Sequence, residues 1–307
     1  MPEALKIFQP RHAKSRRIAT GRAVAYAESH MQRSFDLIGP MPPASPVVLS
    51  VPHAGREYPL ALRAALRVPA TALAALEDRH VDAVALAARE GETAVVQRLP
   101  RAWIDLNRAE HDRDPRLDEG APGGHPSAKV RSGLGLVPRR TTQAGELWCR
   151  RLTGEEVDVR IAEAHRPYHL ALGDALAAAR ARFGVAVLLD VHSMPPIASG
   201  LARIVVGDRF GRAAGSRFVT RVEAAAAAAG LPCALNAPYA GGHVLERHGR
   251  PGCGVHAVQL ELDRTLYLDA RLDQPGRGFD QTVRLVRAVI DALADEAMAT
   301  PGALAAE

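Results

Sequence analysis

The chain has 307 residues, of which 47% are hydrophobic, 24% charged and only 4% aromatic. That balance belongs to a folded globular protein; it excludes intrinsic disorder, collagen-like repeats and a disulfide-stapled mini-protein, and no apolar run approaches the roughly 18 residues of a membrane span. The net charge of +5 sits in the first 22 residues, where Lys6, Arg11, Lys14, Arg16, Arg17 and Arg22 face a single acid, Glu3. The rest of the chain is close to neutral, so the basicity marks a short arm (residues 1–34) ahead of one larger domain (residues 35–300).

Short apolar, β-branched runs alternate with alanine-rich stretches along the chain. Val47–Val51 reads as a strand between Pro46 and Pro52. Thr71–Glu90 reads as one helix, with Thr71 as its N-cap and Gly91 at its stop. Ala94–Leu99 and Trp103–Leu106 read as two strands. Residues 109–145, rich in Asp, Gly, Pro and Arg, form a long loop of the kind that covers or binds. Glu155–Phe183 reads as helical with a break at Pro167. Val185–Val191 is an apolar strand covered on both faces. Arg203–Val206 and Cys233–Leu235 are further strands, separated by a helix at Arg212–Ala229. Tyr239–Gly254 is a Gly-rich loop, Val255–Leu262 the last strand and Gln281–Ala297 a closing helix. Strands separated by helices imply crossovers, hence a three-layer α/β/α domain with a mainly parallel, mixed sheet. Cys149, Cys233 and Cys253 form neither a disulfide framework nor a CxxC pair, which fits a reducing, cytoplasmic setting.

In such sheets ligands bind beyond the carboxyl ends of the strands. Four strand ends carry polar groups: His53 after the first, Asp105-Leu106-Asn107-Arg108 after the third, Asp190-Val191-His192-Ser193 on the central strand, and Gln259-Leu260-Glu261 on the last. A further group, Glu77-Asp78-Arg79-His80-Val81-Asp82, lies in the second helical stretch. Two imidazoles and an aspartate at one edge suit a catalytic Zn²⁺ that keeps a position for water. His53 and His192 supply the nitrogens; Asp78 or Asp82, four apart on one helix face, supplies the carboxylate. Glu261 is the candidate general base for the water so activated. Taken singly, each residue has a plainer reading: a structural histidine, a solvated helix face, a Glu261 paired with Arg264.

Eight ordered motifs, beginning with Val51-Pro52-His53-Ala54-Gly55-Arg56-Glu57-Tyr58-Pro59, resemble those of the N-formylglutamate amidohydrolases. They include Arg101-Ala102-Trp103-Ile104-Asp105-Leu106-Asn107-Arg108, His165-Arg166-Pro167-Tyr168-His169, Leu189-Asp190-Val191-His192-Ser193-Met194-Pro195 and His256-Ala257-Val258-Gln259-Leu260-Glu261. The resemblance runs from about residue 35 to about residue 290, and it extends more distantly to zinc carboxypeptidases and zinc peptidoglycan amidases. It implies one zinc ion held by His53, His192 and an acid. Carboxypeptidases place that acid three residues after the first histidine, where this chain has Arg56. Asp78, which opens the next helix as in the amidases, is therefore preferred to Asp82 and to Glu57.

The resemblance further implies hydrolysis of N-formyl-L-glutamate to formate and L-glutamate, as in histidine breakdown. Asn107 and Arg108 would hold a substrate carboxylate. Glutamate has two, and Arg247 in the Gly-rich loop is the candidate second cation. Tyr239 and His165 are weaker candidates for contact with substrate. The partner expected is thus a small N-acyl amino acid. Another N-acyl amino acid or peptide-like amide is the alternative substrate. A nucleic-acid role for the basic arm is disfavoured by the scarcity of aromatics and of any recognisable binding module.

Overall fold

The structure, a computed structural model, describes residues 33–197 and 202–299. Most of the basic arm therefore lies outside the described residues. Nine strands occur among them: β1 (Phe35–Ile38), β2 (Val47–Val51), β3 (Thr93–Gln97), β4 (Arg140–Thr141), β5 (Gly145–Glu146), β6 (Ala186–Met194), β7 (Ile204–Gly207), β8 (Cys233–Leu235) and β9 (Val255–Asp263). Seven of them form one sheet in the order β1-β3-β2-β6-β9-β7-β8. Its centre, β3-β2-β6-β9, is parallel. β1 runs antiparallel to β3, and β7 antiparallel to β9. The expectation of a mixed, mainly parallel α/β sheet holds.

The two faces of β6 and β9 differ, and that difference places the chemistry. Val187, Leu189, Val191, Val258, Leu260 and Leu262 point to one side, into a core with the helices Val81–Ala88, Ser216–Ala228 and Phe279–Met298. Burying each such side chain is worth about 1.5–3 kcal/mol. The other face begins apolar, with Ala186, Leu188 and Ala257 under the helix Arg166–Phe183. It turns polar toward the carboxyl ends. Ser50 pairs in register with Asp190, Asp190 with Gln259, and His192 with Glu261. Register partners share a face, so these groups line up on one side of the sheet's carboxyl edge.

Four local expectations need correction. Thr71–Glu90 is not one helix but a 3₁₀ segment, Ala70–Leu76, then a break, then the helix Val81–Ala88. The break is held by tertiary bonds: Asp78 N–H donates to His53 O at 3.0 Å, and the Tyr58 hydroxyl donates to Glu77. Trp103–Leu106 is a run of turns, not a strand. Pro167 does not break its helix. A π-helical turn, Ile161–His165, precedes it, so the helical run continues from Gly154 to Phe183 and passes through Pro167 in the first turn of Arg166–Phe183. The Gly-rich stretch contains a helix, His243–His248.

The segment 109–145 is ordered by internal ion pairs. Arg113 binds Asp118, and Arg139 binds both Asp114 and Glu146. It carries a short helix, Ala128–Arg131, and the β4-β5 hairpin. All three cysteines are free. Among the described residues no helix is long and apolar enough to cross a membrane.

Candidate active site

β2 ends at Val51, and Pro52 leads to His53. The backbone at Gly55 then passes so close to the end of β3 that a Cβ would stand 2.1 Å from Leu99 O. Only glycine permits that approach, and it fixes where His53 leaves the sheet. His53, Asp78 and His192 meet there, all three buried. One ligand atom from each lies within 4.8 Å of the others. His192 Nδ1 is 3.0 Å and His53 Nδ1 3.7 Å from Asp78 Oδ2.

The opposite ring nitrogens are held by carboxylates. His53 Nε2 is 2.7 Å from Asp105 Oδ1, and His192 Nε2 is 2.9 Å from Asp190 Oδ2. A carboxylate only accepts, so each Nε2 carries a proton and donates it. Nδ1 of each ring is then turned toward Asp78, and His192 Nδ1, with only Asp78 Oδ2 to face at 3.0 Å, carries a proton as well. Asp105 is bound in turn by Arg101 at 2.8 Å, and Asp190 accepts from Ser50 Oγ at 2.7 Å.

Charge follows this geometry. Burial alone would raise the Asp105 carboxyl, but Arg101 and His53 outweigh it and hold it well below the usual range. Asp78 is likewise held low by its bonds to His192 and His53, against its burial. Burial would lower His192, yet Asp190 and Asp78 raise it well above 6.5. Glu261, beside this cluster, is pushed up to about 7, first by burial and then by Asp78 and Asp190. Its Oε1 accepts from Gln259 Nε2 at 2.9 Å.

A cavity of about 440 Å³ opens over these groups, lined also by Asn107, Arg108, Lys129, Tyr239 and Arg264. Asn107 is tied down. Its Nδ2 donates to Gln259 at 3.3 Å and its Oδ1 accepts from Val244 N–H at 2.9 Å. A Cβ on Gly242 would meet that Oδ1 at 2.5 Å. Asn107 thus braces the Gln259-Glu261 pair, with little donor capacity left for a ligand. Arg108 faces the cavity, with Nε and Nη1 on the carbonyls of Leu134 and Asn107. Arg264 does not pair with Glu261; it donates to Glu77 O, to Asp78 Oδ1 and to Ser193 Oγ.

Four sequence expectations fall away from this site. Asp82 is gripped by Arg56 through two bonds of 3.1 and 2.8 Å, because the interruption of the helix between Leu76 and Val81 separates it from Asp78. Glu57 is exposed and lies near Arg98. Arg247 does not line the cavity. The helix His243–His248 carries it to a second cavity with His169, His243 and His248. His165, also absent from the first cavity's wall, holds Arg108 O through Nε2 at 2.9 Å.

The roles of Asp105, Asp190, Gln259 and Arg101 escaped the sequence reading, although all but Arg101 stood at the noted strand ends. The signal available was spacing: Asp190 two before His192 and Gln259 two before Glu261 share a strand face with them.

A three-layer α/β protein with buried imidazoles and carboxylates at the carboxyl edge of its parallel strands has the layout of an α/β enzyme that binds its ligand beyond the strand ends. Comparison with known proteins makes the class specific. Residues 45–268 match the family model described as N-formylglutamate amidohydrolase. The N-formylglutamate deformylase of Pseudomonas aeruginosa is 32% identical over 231 residues, 73% of this chain and 82% of that protein. That of Pseudomonas putida is 31% identical over 233 residues, with the same coverage. The crystal structure of N-formylglutamate amidohydrolase from Ralstonia eutropha superposes with a TM-score of 0.77 at 32% identity, covering 86% of this chain and 98% of that one. A gene product of Agrobacterium tumefaciens shares the fold, with a TM-score of 0.65 at 20% identity over 86% of this chain and 96% of that one. The chain belongs to the N-formylglutamate amidohydrolase family.

Proposed function

We propose that this protein is a zinc-dependent deformylase that hydrolyses N-formyl-L-glutamate to formate and L-glutamate. The observation that supports it most is the pairing of each histidine with a buried carboxylate on Nε2, which turns Nδ1 of both rings toward Asp78. Carboxylate-backed imidazoles facing a third acidic ligand are the donor set of a catalytic zinc site. The elevated His192 agrees, because surplus buried negative charge draws in protons where a cation would balance it. His53, Asp78 and His192 would hold the ion, which supplies Lewis acidity and lowers the pKa of a water.

The remaining work falls to the chain's own side chains. Glu261 takes the proton of the attacking water as its oxygen bonds to the formyl carbon. It then delivers that proton to the amide nitrogen as the C–N bond breaks, leaving formate and the free amine. A carboxyl poised near 7 suits both transfers. Gln259, braced by Asn107, orients Glu261. Arg108 holds a substrate carboxylate.

The test is formate release from N-formyl-L-glutamate by purified protein, before and after chelation and on adding Zn²⁺ back. Turnover lost to the chelator and restored by Zn²⁺ is expected. Turnover indifferent to chelation contradicts the metal, and none under any condition contradicts the substrate.

A further inference from the structure

Arg108 and Lys129 stand on the wall of the same cavity. Neither has its charge fully matched. Arg108 bonds only to the carbonyls of Leu134 and Asn107 and stays 3.9 Å from Asp105, which Arg101 already holds at 2.8 Å. Among the described residues its Nη2 has no hydrogen-bond partner. Lys129 stands on the short helix Ala128–Arg131 of the long 109–145 segment, with much of its side chain exposed and its ammonium end partly sheltered by the cavity wall. Among the described residues its ammonium forms no hydrogen bond and no ion pair.

The two cations also repel each other. Burial, Arg108 and Arg101 all disfavour the charged form of Lys129. Like charges gathered on a concave wall without a counter-ion are relieved by an incoming anion. The arrangement has a depth order as well. Arg108 is largely buried close to Asp105, while Lys129 is the outer of the two. In an N-acyl glutamate the α-carboxylate sits on the carbon that bears the amide nitrogen, and the side-chain carboxylate lies three carbons further out.

We propose that Lys129 is a specificity-determining residue that binds the side-chain carboxylate of the substrate, with Arg108 on the α-carboxylate. The cavity then selects N-acyl amino acids that are dianions. This deepens the deformylase reading and rests on it for the orientation of the substrate. The position sought for a second cation is thus filled by the 109–145 segment rather than by Arg247.

The experiment compares kcat/KM for N-formyl-L-glutamate with that for N-formyl-L-glutamine, which differs only in the outer carboxylate. The wild type favours glutamate. Lys129→Met lowers that preference about ten- to a hundredfold, the range of one hydrogen bond to a charged group, mainly through KM. Lys129→Glu inverts it. A parallel measurement needs no turnover: calorimetric binding of glutarate and of its monoamide to wild type and Lys129→Met. Glutarate should bind the wild type more tightly, and the difference should vanish in the variant. Formate release with a preference that neither Lys129 variant moves would overturn the proposal and leave the deformylase reading standing. No formate release, with glutarate binding that still depends on Lys129, would do the reverse. Glutarate binding that is absent, or indifferent to Lys129, overturns the proposal in either case.

Discussion

The protein holds two clusters of histidines, and they differ in what stands behind the rings. In His53-Asp78-His192 and in His165-His169-His243 alike, three ligand atoms lie within 4.8 Å of one another. The first pair of rings is backed by carboxylates, Asp105 and Asp190. In the second cluster, His165 Nε2 and His169 Nε2 are backed by the carbonyls of Arg108 and Leu106, at 2.9 and 3.0 Å. His169 Nδ1 is already engaged by His248 Nε2 at 3.0 Å. Titration separates the clusters further. His192 is raised, whereas burial lowers His165 and His243, and His169 falls well below 6.5. On the proposed reading, proximity of imidazoles does not by itself make a cation site. A full negative charge behind the ring raises its basicity, and a neutral carbonyl merely fixes its orientation. The second cluster reads as a prop that holds the Leu106–Arg108 turn in place against the cavity.

Four changes sharpen or break this contrast. The largest effect is expected from Glu261→Gln, which should lower kcat about 10²- to 10⁴-fold while metal content by elemental analysis stays near that of the wild type. A variant of undiminished rate would remove Glu261 from the chemistry. Asp190→Asn keeps shape but takes the charge from behind His192; metal affinity measured by competition with a chelator should fall about 10- to 100-fold. In the second cluster, His165→Leu removes the donor to Arg108 O and should cost about 1–3 kcal/mol in urea unfolding, with metal content unaffected. Loss of metal in that variant would erase the distinction drawn above.

The smallest effect concerns pH. Burial pushes His243 and His248 down to about 4, whereas an unfolded histidine titrates at about 6.5. Between those values the unfolded chain binds more protons than the folded one. The stability these residues contribute is complete above about pH 6.5 and is lost as pH falls toward 4. His243→Phe should flatten this part of a stability-against-pH curve. An unaltered slope would mean that His243 is not held neutral by the fold.

Much of the site was legible in the sequence because strands impose a period of two and put their polar residues where the apolar run stops. That rule alone gathered His53, His192, Glu261 and Arg108 at one edge. What it could not reach depends on chain paths between strands. Asp78 was marked, but as part of a continuous helix with Asp82. Local propensity gave no sign that Tyr58 and His53 would pull Glu77 and Asp78 out of helical geometry. Arg247 was placed by its closeness to Gly241-Gly242, yet the helix His243–His248 carries it to the second cavity. Lys129 sits in a segment with no periodicity, and only its ion-paired folding brings it over the cavity. Asp105 and Asp190 were visible at strand ends, but nothing in a single strand says which residue supports which across the sheet.

The central claim is that the carboxylate-backed cluster, and not the carbonyl-backed one, holds a single divalent ion. Its most direct test is elemental analysis of the purified wild type beside His192→Ala and His243→Ala. The account predicts about one metal ion per chain in the wild type and in His243→Ala, and a loss of most of it in His192→Ala. Full occupancy in His192→Ala, or loss in His243→Ala alone, would contradict it.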